Sequence, residues 1–130
     1  MLVSALRSQR GASYKLLTLI GSEKFGVSVS VPLVLEYEAA TRRLLSEIPL
    51  EEADLVQVLD YICAVATHRK VFYLWRPFLK EANDDMVLEV AVAANAEYLV
   101  SYNKNDFRGI EQFGIRVVTP KEFLQTIGVI

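Results

Sequence analysis

A three-layer α/β fold, with a mostly parallel central sheet between flanking helices, is the architecture this sequence predicts. Three observations carry that prediction. Short β-branched runs alternate with helical segments along the chain, and strands separated by helices join in parallel. The chain has 130 residues, of which 52% are hydrophobic, enough to bury one sizeable core. No internal repeat or low-complexity tract interrupts the order, so residues 1–130 are expected to form one domain.

Residues 2–6 are apolar, and the polar stretch 7–11 breaks that run. Leu16, Leu19 and Ile20 then fall at helical spacing, which predicts a helix over 12–19 ending near Gly21 and Ser22. Val27, Val29 and Val31 alternate with Ser28 and Ser30, a period of two that predicts a strand over 26–31. Ser30 and Pro32 open the next helix, because proline has no amide hydrogen to lose in a first turn. That helix runs over 33–45, with Leu33, Tyr37, Ala40 and Leu44 on its apolar side, and Pro49 stops it.

Residues 51–67 are again helical, with Leu55, Val58, Leu59, Ile62 and Val65 as the core stripe. The acidic opening at Glu51, Glu52 and Asp54 and the basic close at Arg69 and Lys70 both suit the helix dipole. A strand is expected over 71–75 and a loop over 76–83. The clearest helix spans 84–94, where Val87, Val90, Ala91 and Ala94 share one side and the alanines permit close packing on a sheet. A strand over 98–101, a polar run over 102–106, a strand over 114–118 and a helix over 121–127 opened by Pro120 complete the order.

Composition excludes several classes. With 14 basic and 16 acidic side chains the formal charge is -2, so net charge supplies no long-range attraction to nucleic acid. Arg42 with Arg43, and Arg69 with Lys70 and Arg76, are short basic clusters that read as solvated surface or as a local phosphate-facing rim. Cys63 is the only cysteine, which rules out an intramolecular disulfide and a multi-cysteine zinc site and fits a reducing cytoplasm. Its apolar neighbours predict a small buried side chain. No apolar stretch reaches the roughly 18 to 20 residues that span a bilayer, and residues 1–20 lack the pattern of an export signal. His68, the only histidine, stands at a predicted helix end, where capping or surface exposure is the expected role. Ser101 has no Gly-x-Ser-x-Gly elbow around it, and no glycine-rich phosphate loop occurs.

Ligands in parallel α/β sheets sit beyond the carboxyl ends of the strands, and acidic residues come after three of the predicted strands. Glu36 follows the strand over 26–31. Asp84 and Asp85 follow the strand over 71–75 and its loop. Asn103 and Asp106 follow the strand over 98–101. Carboxylates gathered together repel unless a cation sits among them. A hard divalent ion such as Mg²⁺ or Mn²⁺ prefers such oxygens and serves phosphodiester hydrolysis. The same residues also have plain structural readings. Asp84 or Asn83 caps a helix, Asp85 favours its dipole, Glu36 lies on the surface, and Asn103 and Asp106 form turns.

The stretch from Asn83-Asp84-Asp85-Met86-Val87-Leu88-Glu89-Val90-Ala91 through Tyr98-Leu99-Val100-Ser101, continued by Asn103 and Asp106-Phe107, resembles the third motif of PIN-domain proteins and its continuation. Upstream, Arg10-Gly11-Ala12-Ser13 and Val31-Pro32-Leu33-Val34-Leu35-Glu36-Tyr37 resemble the segments around that family's first helix and second acidic position. Val118-Thr119-Pro120-Lys121-Glu122-Phe123-Leu124 resembles its closing strand and helix. The likeness is greatest to the bacterial toxin components of toxin–antitoxin pairs, similar to the VapC toxins, and it covers nearly the whole chain.

The resemblance implies a Mg²⁺- or Mn²⁺-dependent ribonuclease, commonly a homodimer and often inhibited by an antitoxin protein. It implies that Glu36 and Asp85 are metal-facing carboxylates, with Asp84 the neighbour that competes for the role of Asp85. Asn103 takes a fourth, less strictly acidic place, Asp106 assists, and the Ser101 hydroxyl meets a ligand water or phosphate. Leu33, Leu44, Leu55 and Leu59 serve either a dimer face or the core. The family pattern opens with a strand into Asp-Thr-Asn, and Met1-Leu2-Val3-Ser4-Ala5-Leu6 resembles the residues just after that motif. The first central strand and its carboxylate are therefore expected to be truncated or absent, and cleavage by the chain as written weak or lost. The alternative expectation is a non-catalytic RNA-binding or protein-interaction module.

Overall fold

A computed structural model describes residues 2–7, 11–47, 51–70, 79 and 81–130. They form two compact units, Met1–His68 and Arg69–Ile130.

In the first unit the apolar run at the start is helical: α1 spans Leu2–Arg7 and α2 spans Ala12–Thr18. The valine–serine alternation yields a short strand, β1 (Ser28–Val29). At Ser30 the backbone stays extended while the hydroxyl accepts the Leu33 amide hydrogen at 3.3 Å, and α3 (Val31–Arg43) begins with proline in its first turn. This is the cap-and-proline start that the sequence predicts. A 3-10 turn follows at Leu45–Glu47, and α4 spans Glu52–Val65. Glu51 and Asp54 close a reciprocal capping box at the start of α4.

The expected helix over 51–67 ends two residues early. Ala66 turns extended and buries its methyl, the Thr67 amide donates to the Val27 carbonyl at 2.8 Å, and β2 (Thr67–His68) pairs in parallel with β1. Pairing with β1 thus overrides the helical periodicity, and Val65, placed on the core stripe by the sequence, is 42% exposed. Cys63, expected to be buried, is only half-buried. Leu2, Leu6, Val29, Leu55, Leu59, Ile62 and Ala66 form the core of this unit. Full burial of each larger side chain stabilises by about 1.5–3 kcal/mol.

In the second unit, α5 (Ala82–Ala93) leads through Asn95, in the left-handed region at φ 52°, to β3 (Tyr98–Val100). Two 3-10 turns, Lys104–Phe107 and Ile110–Phe113, carry the chain to β4 (Arg116–Val118), which pairs in parallel with β3. Thr119 and Glu122 close a capping box, and α6 (Pro120–Thr126) follows. Leu79, Leu88, Ala91, Leu99, Phe107, Ile110 and Ile115 form the second core. Alternation of helices with parallel strands is α/β in class. The described strands pair two by two, however, and one continuous central sheet is not among the described residues. The strand expected over 71–75 and Arg76 also lie outside them.

Candidate metal centre

Glu36 sits in the second turn of α3, directly behind the β1 end, where the Ser30 cap places it. Its carboxylate is not free: the Arg43 guanidinium donates to Oε1 at 3.5 Å across two helical turns. On the same helix Arg42 donates to Glu38 at 3.2 Å and also pairs with Glu52 of α4. These two carboxylates raise the Arg42 pKa further. Next to Glu36, Tyr37 packs against the first core, and burial of its phenolic end pushes the hydroxyl up to about 12.

Asp84 and Asp85 occupy the first turn of α5, and neither is the cap residue, a place held by Glu81. The two side chains differ in surroundings. Asp85 is 3% exposed, and its Oδ1 accepts the Leu79 backbone amide hydrogen at 2.9 Å. Asp84 is half-buried, and its pKa is raised above the ordinary carboxylate range. Burial is the largest cause, followed by the negative charges of Asp106, Glu81 and Asp85 in that order. Three acids acting on a fourth is the electrostatic condition that a cation relieves.

Asn103 is exposed at the head of the 3-10 turn Lys104–Phe107. Its backbone amide donates to the Ser101 hydroxyl at 3.1 Å, and its carbonyl accepts from the Asp106 amide at 3.1 Å. The Ser101 hydroxyl thus accepts a hydrogen bond that shapes the turn. Asp106 is exposed, and its charge contributes to the raised pKa of Asp84. His68 is exposed as expected, with Nε2 2.7 Å from the Cys63 carbonyl at the end of α4.

The donor set fits a hard divalent cation in kind, since the candidates are carboxylate, amide and hydroxyl oxygens. Within the second unit the structure brings Asp84 and Asp106 into one electrostatic neighbourhood. Among the described residues, no three His, Cys, Asp or Glu side chains are grouped closely enough to hold a metal ion. An open pocket lined by Lys104, Glu111, Gly114, Ile115, Arg116 and Val117 contains none of the candidates. Of the leucines that the sequence offers to either dimer or core, Leu33, Leu55 and Leu59 are buried, and Leu44 is half-buried.

Glu81 and Leu79 are not among the residues that the sequence singles out. The signal for Glu81 is its place three residues before Asp84, one turn away on the helix. Nothing in the sequence marks the Leu79 amide, because any residue carries one.

The family model described as PIN domain matches residues 1–105. No curated protein matches the chain, and no solved structure matches it. Among the described residues, no helix is long and apolar enough to cross a membrane.

Proposed function

Because the chain belongs to the PIN-domain family, whose members are typically nucleases that bind divalent metal ions, we propose that it is a metal-dependent ribonuclease of toxin type, similar to the VapC toxins. The observation that carries this reading is the half-buried place of Asp84 in the first turn of α5, where burial first, and then the charges of Asp106, Glu81 and Asp85, raise its pKa, within a family that uses carboxylates on a metal. We assign the cation, Mg²⁺ or Mn²⁺, to the aspartates opening α5, with Asn103 and Asp106 beside them. Glu36 takes the family role of the second acidic position. Such an ion, when bound, supplies charge neutralisation and Lewis-acid polarisation of a phosphodiester.

The chain's own residues do the positioning. The Ser101 hydroxyl sets the Asn103 turn, and the Asn103 carbonyl holds the Asp106 amide. Residues 1–130 are read as one PIN domain, since the family match runs through the boundary between the two compact units. That domain is read as a three-layer α/β fold acting in the cytoplasm. RNA bound through local basic residues should dissociate as salt rises, because phosphate contacts release counterions.

A protein-interaction role is favoured by a separate observation. Val31 and Leu35, one turn apart on α3, are 67% and 59% exposed, an apolar face suited to a second copy of the chain or to an antitoxin segment.

The test is cleavage of a labelled RNA by the purified chain in millimolar Mn²⁺ and in EDTA. A second protein carries an apolar strand ending in Asp-Thr-Asn ahead of Met1. Residues 1–130 alone should cleave more weakly than the extended protein, or not at all. The extended protein should cleave only with Mn²⁺. An extended protein that folds yet leaves RNA intact in Mn²⁺ would refute the ribonuclease reading and leave the interaction role.

A further inference from the structure

A chain of net charge -2 attracts a polyanion only where cations gather locally and are not already neutralised. The pair Arg42 and Arg43 fails the second condition, because Arg43 is drawn to Glu36, and Arg42 to Glu38 and Glu52. The second unit offers another place. Lys104, from the 3-10 turn after β3, and Arg116, the first residue of β4, line one open groove with Glu111, Gly114, Ile115 and Val117. Its volume is about 360 Å³, which suits an extended segment and is far below what seats a folded partner. Arg116 is exposed, and among the described residues it forms no ion pair. Lys104 pairs with Glu122 at 2.6 Å, but both side chains are nearly half exposed. Water screens that pair, and a phosphate can share the ammonium.

We propose that this groove holds the sugar–phosphate backbone of single-stranded RNA, with Arg116 and Lys104 each meeting a phosphate. The proposal rests on the RNA-directed reading above, but not on a metal ion, since phosphate contacts form without one. A guanidinium forks onto two phosphate oxygens, whereas an ammonium acts as a point charge. Arg116 therefore contributes more than Lys104, which Glu122 also engages. Glu111, the acid that lines the groove, opposes both. Contacts of this kind position a strand and read no bases, so they serve any sequence. Lys104 directly follows Asn103, and the groove thus adjoins the turn that carries the candidate centre.

Fluorescence anisotropy of a labelled oligouridylate tests this with the whole chain, in EDTA so that nothing is cleaved, across a salt series. Arg116→Gln should weaken binding about three- to tenfold at low salt. It should also lessen the slope of log affinity against log salt by about 0.7, the value of one phosphate contact on a single strand. Glu111→Gln should tighten binding about two- to threefold, because it removes the opposing charge. Lys70→Gln removes an exposed cation that does not line the groove, and should change neither affinity nor slope.

The groove is overturned if Arg116→Gln binds like the unsubstituted chain, if Glu111→Gln binds no more tightly, or if Lys70→Gln shows the loss instead. It is equally overturned if the unsubstituted chain does not bind the oligouridylate at low salt. Its fate is separable from that of the ribonuclease reading, which the cleavage test decides. Binding in the predicted order, with RNA left intact by the extended protein in Mn²⁺, would keep the groove and remove the nuclease. Cleavage by the extended protein, with unchanged binding in Arg116→Gln, would remove the groove alone.

Discussion

The acidic side chains of α3, in the first unit, and those at the start of α5, in the second, have opposite surroundings. In the first, each carboxylate on α3 has a guanidinium at hand: Arg43 on Glu36, and Arg42 on Glu38 and, across to α4, on Glu52. In the second, Asp84 holds its proton more tightly, chiefly through burial and then through the charges of Asp106, Glu81 and Asp85. Ion pairs on an exposed helix add a few tenths of a kcal/mol and neutralise the surface. Acids set against acids oppose stability, and such an arrangement is a mark of a site that awaits a cation. The difference locates the proposed chemistry of the second unit at the start of α5.

The contrast can be broken or sharpened by substitution. The largest effect is expected in the first core, where Leu55 is 0% exposed. Leu55→Ala should destabilise by about 2–5 kcal/mol in urea unfolding, through lost burial and the cavity left behind. Next comes Gly21, at φ +90°, where an added Cβ would lie 2.5 Å from the Tyr61 hydroxyl oxygen. That hydroxyl donates to the Ile20 carbonyl at 2.9 Å. Gly21→Ala combines backbone strain with a displaced hydrogen bond, and about 1–3 kcal/mol of destabilisation should appear in the same assay.

A pH effect is expected from α6. The Lys104 ammonium, 2.6 Å from Glu122, together with the Thr119 amide, holds the Glu122 carboxyl down at about 2, against an ordinary 4.5. A carboxyl depressed in the folded state stabilises fully above its unfolded pKa and loses that contribution as pH falls. The window therefore runs from about 4.5 down to about 2. Glu122→Gln keeps an acceptor for the Thr119 cap and removes the charge. Its melting point should fall less steeply across that window than that of the unsubstituted chain. The smallest effect belongs to Arg43→Ala, whose exposed pair with Glu36 should be worth at most about 0.5 kcal/mol and should fade with salt.

Much of this arrangement was legible in the sequence because local rules and tertiary packing agree. The Ser30 cap, the proline at the start of α3, the Pro120 opening of α6 and the small-residue face of α5 each depend on neighbours within one turn. Where packing outranks local preference, the sequence misleads. Periodicity carries the fourth helix to Thr67, but parallel pairing with Ser28 and Val29 draws Thr67 and His68 into a strand. The short runs Ser28–Val29 and Arg116–Val118 mark strand positions without revealing which partner each takes. At the candidate site, the acidic character was plain, while the distinct environments of Asp84 and Asp85 were not. One residue of helical rotation separates a side chain bonded to Leu79 from one that faces Asp106, and both are the same amino acid. The bond from the Asn103 amide to the Ser101 hydroxyl was equally hidden, because it appears only once the turn is folded.

The most direct test of the central claim is calorimetric titration of Mn²⁺ into the intact chain and into Asp84→Asn at neutral pH. The account predicts a saturable heat for the unsubstituted chain that disappears in Asp84→Asn. Equal heats from both proteins, or none from the unsubstituted chain at millimolar Mn²⁺, would contradict it.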